Sequence, residues 1–423
     1  MNNKIFTVAI LGCGSRGAAS YGNVINSLKD KFKIVALCDL VKEKIERYQV
    51  IFDVEKENCF LDCEEFLAKK RADVLIIANQ DQDHVWCCLR ALELGYDVLL
   101  EKPITDKLSE CEKLLEAQRK YGRKIMVCHV LRYAPAFIKV NELLVEENIG
   151  KLVAIQAIEQ VHYWHQAHSY VRGNWRRKEE TSPMILAKCC HDLDLIQYYA
   201  KSSCISVSSI GDLVHFKEEN APKDCAKRCL ECKYIETCPY SAKRIYVDRW
   251  KITHDNWPTG VITVKRPLNE EVIYEALKEG PYGRCVYYCD NNVVDHQIVQ
   301  MEFKNGVKAS LTMMAFTGKG GRIYKFYGTH GEINLDEENQ KITIKRFGQP
   351  DEIINFDALL DVNGGHGGGD LGLISALYDM LVSNNNPETS LEASIESHLI
   401  GINAEESRLN NGKLIYLHKK DSN

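Results

Sequence analysis

Short apolar runs alternate with longer segments of helical periodicity over the first 130 residues. The runs are rich in Val, Ile and Leu and lie at 7–11, 34–38, 73–78, 97–100 and 124–128. Apolar residues recur at helical spacing in the segments between them, at 18–28, 42–52, 63–69, 82–94 and 109–121. Strands that alternate with helices of this length predict βαβ units and a parallel sheet with right-handed crossovers. We therefore predict a doubly wound parallel α/β domain over residues 1–130.

The pattern changes after residue 131, where strand-like runs follow one another with turns between them. These runs lie at 152–163, 203–214, 298–303, 307–314, 322–328, 332–336 and 341–346. Asn305-Gly306 is a hairpin turn signal, and helical periodicity returns at 184–200, 371–382 and 391–408. This predicts an α+β domain over residues 131–423 with an open, mostly antiparallel sheet, interrupted by a cysteine-rich insert at about 215–290.

Composition narrows the class of protein and its compartment. The 423 residues are 45% apolar and 27% charged, as in an ordinary globular chain of two domains, and the formal charge of −5 provides no basic surface for nucleic acid or anionic membrane. No apolar run is long enough to span a bilayer, and the N-terminus leads into a strand pattern without a signal-peptide architecture. Most of the 17 cysteines lie singly in apolar segments, which is typical of reduced thiols. We predict a cytoplasmic protein with no nucleic-acid or membrane partner.

The first predicted strand is followed at once by a glycine-rich turn, GCGSRG at 12–17. The pattern G-x-G-x-x-G is a weak signal alone, but here a strand precedes it and a helix follows, which is the context of a Rossmann dinucleotide site. Gly12, Gly14 and Gly17 let the backbone turn tightly and approach a pyrophosphate. The N–H groups of the helix start, with Ser15 and Arg16, meet the negative charge of that group.

Polar residues follow the other predicted parallel strands at the point where each strand ends. Asp39 follows the second strand, Asn79 the third, and Glu101 and Lys102 the fourth. Because the carboxyl ends of parallel strands share one edge of a sheet, these side chains lie on the same edge as the glycine turn. An acidic residue at Asp39 favours NAD, since it binds the adenosine ribose hydroxyls. Its offset from the glycines is slightly long, and Arg16 leaves NADP as the less favoured cofactor.

Three motifs in order, LGCGSRG, NQDQDH ending in His84, and LLEKP, resemble the Gfo/Idh/MocA oxidoreductases, the family of glucose–fructose oxidoreductase and inositol dehydrogenase. The resemblance covers nearly the whole chain, and the EKP motif is its most specific element. It implies that Lys102 lies beside the nicotinamide and the substrate hydroxyl and has a catalytic role. For His84 it implies only a position near the cofactor, with helix capping or packing as an equal alternative.

A second motif that carries reactive side chains, CHDLD at 190–194, lies on the helix predicted from Met184. It resembles the family helix whose histidine exchanges the proton of the substrate hydroxyl, which implies this role for His191. Many family members carry an aspartate four residues before that histidine, whereas this chain has Ala187 followed by Lys188. Lys102, His191 and Lys188 are therefore the predicted catalytic residues.

Five residues are candidates for substrate binding, namely Arg132, Tyr133, Asp192, His296 and His366. Arg132 and Tyr133 follow the last parallel strand and either contact a polyol or anchor the helix that begins near Pro135. His296 belongs to a polar run before a strand. The glycine-rich segment 364–370 includes His366 and Asp370, and in the resembling subset this segment packs at the active site. A flexible connector with a helix cap is the equal alternative for that segment.

One group of cysteines stands apart from the others: Cys225, Cys229, Cys232 and Cys238. Their spacing, C-x3-C-x2-C-x5-C in a polar segment, lets four thiolates converge on one ion. This predicts tetrahedral zinc, with an iron–sulfur cluster as the alternative and a metal-free loop or disulfide pair third. Cys285 and Cys289 repeat a C-x3-C spacing in a strand-like run, and we interpret them as packing residues.

The resemblance implies an NAD-dependent oxidoreductase acting on a secondary hydroxyl of a sugar, glycoside or cyclitol, with the 3-position of a glycoside included. One alternative is a glycosidase-like or lyase-like enzyme, in which transient oxidation permits elimination. The other is a non-catalytic, nucleotide-sensing regulator, which would not need to keep Lys102 and His191. The resemblance also implies a homo-oligomer, a dimer or tetramer joined through the sheet of the second domain.

Overall fold

The computed structural model describes residues 4–358 and 366–417, which form two sheets with helices packed around them. The strands of the first sheet are β1 (Phe6–Leu11), β2 (Phe32–Cys38), β3 (Cys59–Phe60), β4 (Val74–Ile77), β5 (Asp97–Leu100) and β6 (Ile125–Val127). All of them are parallel, in the order β3-β2-β1-β4-β5-β6. This is the strand order of a Rossmann fold, which opens a crevice at the carboxyl edge between β1 and β4.

Helices connect these parallel strands and cover both faces of the sheet. A widened helical turn over Ser15–Gly22 leads into α1 (Asn23–Ser27), and the later helices are α2 (Lys42–Phe52), α3 (Cys63–Phe66), α4 (His84–Glu93) and α5 (Leu108–Tyr121). The central strand β4 is buried on both faces, as its unbroken Val-Leu-Ile-Ile sequence predicts. The polar residues that follow the strands lie beyond this apolar layer, at the carboxyl edge of the sheet.

The second sheet is mixed and mostly antiparallel. Its strands are β7 (Leu152–Gln160), β8 (Cys204–Asp212), β9 (His296–Phe303), β10 (Lys308–Met314), β11 (Gly321–Gly328), β12 (Gly331–Asp336), β13 (Lys341–Arg346), β14 (Glu352–Asn355) and β15 (Ile415–Tyr416). They lie in the order β14-β13-β12-β11-β7-β10-β9-β8-β15, and only the pair β7–β10 is parallel. Buried and exposed residues alternate along β7, so one face packs on helices and the other is open.

The second domain adds eight helices among the described residues: α6 (Pro135–Val145), α7 (Tyr163–His165), α8 (Met184–Ala187), α9 (Cys190–Ala200), α10 (Arg249–Thr253), α11 (Glu270–Glu279), α12 (Gly369–Ser383) and α13 (Leu391–Leu409). One apolar core runs from β1 of the first sheet through α8 to β10 of the second, for example through Ile10, Leu186 and Leu311. The predicted fold class, a parallel Rossmann sheet followed by a mostly antiparallel sheet, is confirmed. Within residues 4–358 and 366–417, no helix combines the length and apolar character that crossing a membrane requires.

Two predicted elements differ from the structure. The helix predicted over 184–200 is interrupted between α8 and α9, where the backbone of Cys189 (φ −90°, ψ 5°) departs from helical values. The interruption leaves the Ala187 carbonyl available to a side chain of the first domain. The strand-like run at 285–289 forms a short helical turn, Val286–Tyr288, instead of a strand.

Candidate active site

The glycine turn after β1 packs tightly against the end of β4. Gly12 has a φ of +96°, and a Cβ added to it would lie 2.4 Å from the carbonyl carbon of Ala78, so the position requires glycine. A Cβ on Gly17 would lie 2.0 Å from the Gly12 carbonyl oxygen. A Cβ on Gly14 would meet nothing within 4 Å, so this position faces open space at the helix start. This is the geometry that a bound pyrophosphate needs.

Two polar residues continue the same edge beyond the glycine turn. The Asp39 carboxylate accepts hydrogen bonds from the N–H groups of Cys13 (2.8 Å) and Val41 (2.9 Å), which fixes it at the end of β2. Asn79, after β4, has a buried Oδ1 with no partner among the described residues. The open space in the glycine turn, the fixed carboxylate and the unpaired amide oxygen together fit an extended dinucleotide such as NAD.

Arg16 connects the glycine turn to Glu101 and to α12. Its Nε donates to Glu101 Oε1 at 3.0 Å, its Nη2 donates to Asp370 Oδ1 at 2.7 Å, and its guanidinium lies 4.5 Å from the centre of the Tyr21 ring. The Tyr21 hydroxyl and the Lys102 N–H also donate to the Glu101 carboxylate, at 2.5 and 2.9 Å. Burial alone would raise the pKa of Glu101, but Arg16 and Lys102 outweigh burial and hold that pKa below its ordinary value. Glu101 is therefore an ionised anchor for this edge.

Lys102 reaches from the first domain to the second. Its Nζ donates a hydrogen bond to the Ala187 carbonyl at 3.2 Å, at the interruption between α8 and α9. The turn after Lys102 is supported by the buried His84, whose Nδ1 lies 2.8 Å from the Pro103 carbonyl oxygen. His84 thus makes the packing contact that its sequence position left as one alternative, and it positions the turn that carries Lys102.

His191 lies in the first turn of α9, four residues after the carbonyl that binds Lys102. The ring is buried, and its Nδ1 has no partner among the described residues. Burial, together with the nearby charges of Lys102 and Arg322, lowers the pKa of His191 well below its usual value. The imidazole is therefore neutral near pH 7 and able to accept a proton.

A buried ionic network, which the sequence patterns do not reveal, surrounds the other residues of the CHDLD region. Lys188 Nζ lies 3.0 Å from one Glu159 carboxylate oxygen, and Arg322 Nη2 lies 2.9 Å from the other. Arg322 Nε and the Tyr324 hydroxyl donate to Asp192 Oδ1 at 2.9 and 2.8 Å. Burial raises the pKa of Asp192 to about 6, although Arg322 opposes the rise. The Asp192 carboxylate is thus occupied by protein groups and ties α9 to β11.

Two family models match the chain. The oxidoreductase family model of the NAD-binding Rossmann fold matches residues 6–129, and the oxidoreductase family model of the C-terminal alpha/beta domain matches residues 141–414. The chain belongs to the Gfo/Idh/MocA family. It is an NAD-binding oxidoreductase of that family, as the order of its motifs predicts.

Individual relatives of this Gfo/Idh/MocA chain are distant in sequence. YteT of Bacillus subtilis (strain 168) is 22% identical over 329 residues, which are 74% of each protein. An inositol 2-dehydrogenase of Salmonella typhimurium (strain LT2) is 22% identical over 143 residues, which are 34% of this chain and 42% of that enzyme. The crystal structure of the WlbA dehydrogenase from Bordetella pertussis, in complex with NADH and UDP-GlcNAcA, matches 99% of both chains with a TM-score of 0.71 at 14% identity. At that identity the structural likeness shows the shared fold.

Arg132 and Tyr133 of this Gfo/Idh/MocA chain bind internal partners. The buried Arg132 donates from Nε and Nη2 to both carboxylate oxygens of Asp194, at 2.7 and 2.6 Å. The Tyr133 hydroxyl lies 3.0 Å from Thr389 Oγ1. These contacts favour the anchoring alternative for both residues, because the guanidinium and the hydroxyl are already engaged.

His366 lies at the glycine turn. Its Nδ1 is 3.2 Å from Arg16 Nη1 and 3.4 Å from Asp370 Oδ2, so the end of the glycine-rich segment reaches the predicted cofactor edge. Asp370 lies in the first turn of α12 and pairs with Arg16, and no side chain among the described residues caps this helix. The contact therefore favours the active-site alternative over the helix cap. Gly364 and Gly365, which also belong to the predicted segment, lie outside the described residues.

His296 lies elsewhere, at the start of β9. Its Nδ1 is 2.9 Å from Asp295 Oδ1, and the Asp295 carboxylate also accepts the N–H of Val214. In the described part of the chain, no hydrogen bond or ion pair connects His296 to Lys102 or His191. The structure therefore brings His366 to the site and leaves the substrate role of His296 without a supporting contact.

The cysteine segment lies apart from the candidate active site, in the insert between β8 and β9. Its four cysteines, Cys225, Cys229, Cys232 and Cys238, line one partly open cavity together with Cys285. All 17 cysteines are free thiols, which excludes the disulfide alternative in this structure. Over residues 4–358 and 366–417, no three His, Cys, Asp or Glu side chains are placed so as to hold a metal ion. The predicted zinc is therefore not shown: the thiols share a cavity without converging on one point.

Proposed function

We propose that this chain is an NAD-dependent dehydrogenase that oxidises a secondary hydroxyl of a sugar, glycoside or cyclitol. The observation that carries the proposal is the contact of Lys102, at the cofactor edge, with the Ala187 carbonyl, four residues before His191 and at the interruption between α8 and α9. This contact holds the Lys102 ammonium against the segment of the second domain that leads to His191, close enough for its charge to lower the pKa of that imidazole. The name of the inositol 2-dehydrogenase relative and the sugar nucleotide in the WlbA structure support this substrate class.

The two side chains divide the chemistry of alcohol oxidation between them. NAD, when bound, supplies the hydride acceptor. His191 accepts the hydroxyl proton, since burial keeps its imidazole neutral. Lys102 donates a hydrogen bond to the substrate oxygen, where negative charge develops as the proton leaves. In the reverse direction His191 returns the proton to the carbonyl oxygen.

The sequence predicts a catalytic role for Lys188, whereas in this proposal Lys188 binds the substrate. Its ammonium is paired with the buried Glu159, which favours a hydrogen-bond donor over a proton acceptor. The Lys188 side chain is 19% exposed, so part of the ammonium remains accessible. We assign Lys188 to a neighbouring substrate hydroxyl and leave proton removal to His191.

Asp39 supports NAD over NADP. Two backbone N–H groups fix its carboxylate at the strand end where the adenosine ribose binds in Rossmann domains. A 2′-phosphate at that point would face this carboxylate, whose charge is partly offset by Lys44 Nζ at 3.3 Å from Asp39 Oδ2. Arg16 is the residue that could have bound the 2′-phosphate of NADP, and it is already paired with Glu101 and Asp370.

Two substitutions test the assignment of the catalytic pair. Lys102→Met and His191→Gln should each lower kcat for NADH formation by about 10²- to 10⁴-fold, as expected for the loss of an oxyanion donor or a general base. The matched control is Lys107→Met, an exposed lysine in the same loop, which should keep full activity. NADH absorbance would be followed with myo-inositol and a panel of sugars and glycosides, and NADH binding would report folding. Full rates in both variants would make the assignment wrong.

Product analysis distinguishes the dehydrogenase from the elimination alternative. A dehydrogenase releases a ketone and NADH in equal amounts, because each hydride removed from substrate leaves with the cofactor. Cleavage of a glycoside without accumulation of NADH would show that oxidation is transient, and would replace the proposed function with the elimination cycle.

A further inference from the structure

The insert between β8 and β9 contains a segment with little apolar core of its own. Between residues 221 and 239, Cys229 is the single buried residue, and the regular structure is one short turn, Cys229–Glu231. Segments this poor in buried apolar surface are commonly stabilised by a disulfide or a metal ion. Since the cysteines here are free, a disulfide does not supply that stability.

Five cysteines face one cavity in this segment: Cys225, Cys229, Cys232, Cys238 and Cys285. Cys285 comes from a later loop, and two backbone contacts hold it there. The Cys285 N–H donates to the Lys227 carbonyl at 2.9 Å, and Arg228 and Arg284 form an antiparallel bridge. Cys289 is not among the lining residues, and its Sγ donates to the Cys285 carbonyl. Cys285 therefore belongs to the cysteine cavity, whereas Cys289 remains a packing residue.

A buried arginine is the second, independent observation. Arg172 is 1% exposed, and its Nη2 lies 3.3 Å from Cys229 Sγ. Its other hydrogen bonds go to the carbonyl oxygens of Arg284 and Tyr240, both at 2.7 Å, and Nη1 has no partner in the described part of the chain.

No carboxylate among the described residues forms a hydrogen bond or an ion pair with Arg172. A guanidinium keeps its positive charge in proteins, and burying such a charge without an anion is costly. The ionisable groups beside Arg172 are cysteine thiols and the Tyr246 phenol. Burial raises the pKa of Tyr246, so the cysteine sulfurs are the groups that can supply a negative charge once they bind a metal ion. Thiolates bound to a metal ion beside Arg172 would supply the negative charge that its guanidinium lacks among the described residues.

We propose that Cys225, Cys229, Cys232 and Cys238 bind one Zn²⁺ as thiolates, and that Arg172 is the buried counter-charge of this centre. Each thiol loses its proton to solvent as its sulfur binds the ion, with no change of oxidation state. Four thiolates around Zn²⁺ leave a net negative charge, which Arg172 offsets. Binding requires the four sulfurs, which already line one pocket, to converge by rotation about their Cα–Cβ bonds. Cys285 completes the wall on the side of Arg172.

The zinc is structural in this proposal. The proposal therefore does not depend on whether the chain is a dehydrogenase. The zinc holds the poorly packed segment onto the apolar cluster of the insert, which includes Cys229, Tyr240 and Tyr287. That cluster also contains Trp164 and Ala167, which follow β7 in the second domain. The centre thus joins the insert to the rest of its domain.

Metal analysis of the purified full-length protein tests the site directly. Wild-type protein grown with zinc should contain one Zn²⁺ per chain, while Cys229→Ser and Cys232→Ser should contain almost none. Cys289→Ser is the matched control, a cysteine of the same insert outside the cavity, and it should keep the metal. Wild-type protein without zinc, or iron with sulfide and a visible absorption band, would overturn the proposal. Equal loss of zinc in the control would also overturn it.

Zinc titration tests the role of Arg172, with NADH binding as a separate measure of folding. Metal-stripped wild-type protein and the variants would be titrated with Zn²⁺ against a chromophoric chelator. Arg172→Met should weaken Zn²⁺ binding by roughly 10- to 100-fold, the usual effect of losing an outer partner of a metal site. Arg172→Lys keeps the charge and should restore part of the affinity. Unchanged affinity in Arg172→Met, or a loss in Arg172→Lys as large as in Arg172→Met, would remove Arg172 from the centre.

Discussion

Ala187 contributes to the candidate site through its backbone. Many family members carry an aspartate at this position, and its absence raised the question of what faces Lys102 and His191. The structure places the Ala187 carbonyl 3.2 Å from Lys102 Nζ, at the interruption between α8 and α9. A neutral carbonyl holds the ammonium less tightly than a carboxylate, so Lys102 remains available to a developing alkoxide. The departure from the family pattern thus increases the share of the chemistry that we assign to Lys102.

Arg132 offers a residue-level prediction that separates anchoring from substrate binding. Arg132→Met should lower the free energy of unfolding by about 3–5 kcal/mol, because it leaves the buried Asp194 carboxylate without its charge partner. The KM of the folded variant should change little, since the guanidinium faces Asp194. Urea denaturation and steady-state kinetics measure the two quantities.

The double variant Arg132→Met/Asp194→Asn is the control for this pair. It removes the stranded charge and should recover part of the lost stability. A large increase in KM with unchanged stability in Arg132→Met would instead make Arg132 a substrate ligand.

At the scale of elements, β7 shows how a strand combines packing with electrostatics. The buried positions on this alternating strand are those of Ile155, Ala157 and Glu159. A glutamate at a position that faces the core requires a positively charged partner, and Glu159 has two, Lys188 and Arg322. The break in the alternating pattern could have indicated a buried ion pair, but nothing local names its partners.

The open face of the second sheet carries a mostly apolar row that crosses five strands. Residues in register pair Ile210 with Ile298, Ile298 with Thr312, Thr312 with Ile158, and Ile158 with Ile323. Ile158, Ile210 and Ile298 are 38%, 57% and 40% exposed. A continuous apolar patch on an open sheet is typical of a subunit interface, and two-fold pairing of such a row is self-complementary. The row therefore supports the predicted homo-oligomer through this sheet.

Substituting lysine into this row should separate the subunits. The double variant Ile158→Lys/Ile298→Lys would place like charges in a desolvated interface, so analytical ultracentrifugation should show a monomer where the wild type is a dimer or larger. Val50→Lys is the control, at a 78% exposed position on α2, and it should leave the mass of the oligomer in solution unchanged. A monomeric wild type, or a double variant that keeps the wild-type mass, would contradict the prediction.

At the scale of the whole molecule, buried histidines lie where the two domains meet. The rings of His129 and His398 are buried with their centroids 5.6 Å apart, and His398 Nε2 accepts the Ile104 N–H at 2.9 Å. Burial lowers the pKa of His129 to about 3 and that of His398 to about 4. Since the fold favours the neutral form, this stability is present above the ordinary histidine pKa and is lost as pH falls towards the lowered values.

The free energy of unfolding should therefore decrease in mild acid. Between about pH 7.5 and about pH 5, the loss should be about 2 kcal/mol for each of His129 and His398. Urea denaturation at a series of pH values measures this slope. His129→Gln should make the slope shallower, whereas His254→Gln, at an exposed position, should leave it unchanged. Stability that is independent of pH over this interval would contradict the prediction.

Much of the first domain could be predicted from the sequence because its signals are local. Apolar runs, helical periodicity and the glycine turn act over a few residues, and they are sufficient to place Asp39, Asn79 and Lys102 on one sheet edge. The spacing of the four cysteines is a local signal of the same kind, so it indicated which residues share a cavity.

Tertiary structure decided which charged groups meet. Arg16 pairs with Asp370, and Arg322 with Asp192, across 354 and 130 residues of chain. The approach of Arg172 to Cys229 likewise depends on how the insert folds back onto its domain. Periodicity and motif spacing describe the chain one neighbourhood at a time. Whether a buried charge finds its partner is decided only when distant elements pack together, because burial removes the water that would otherwise solvate each charge separately.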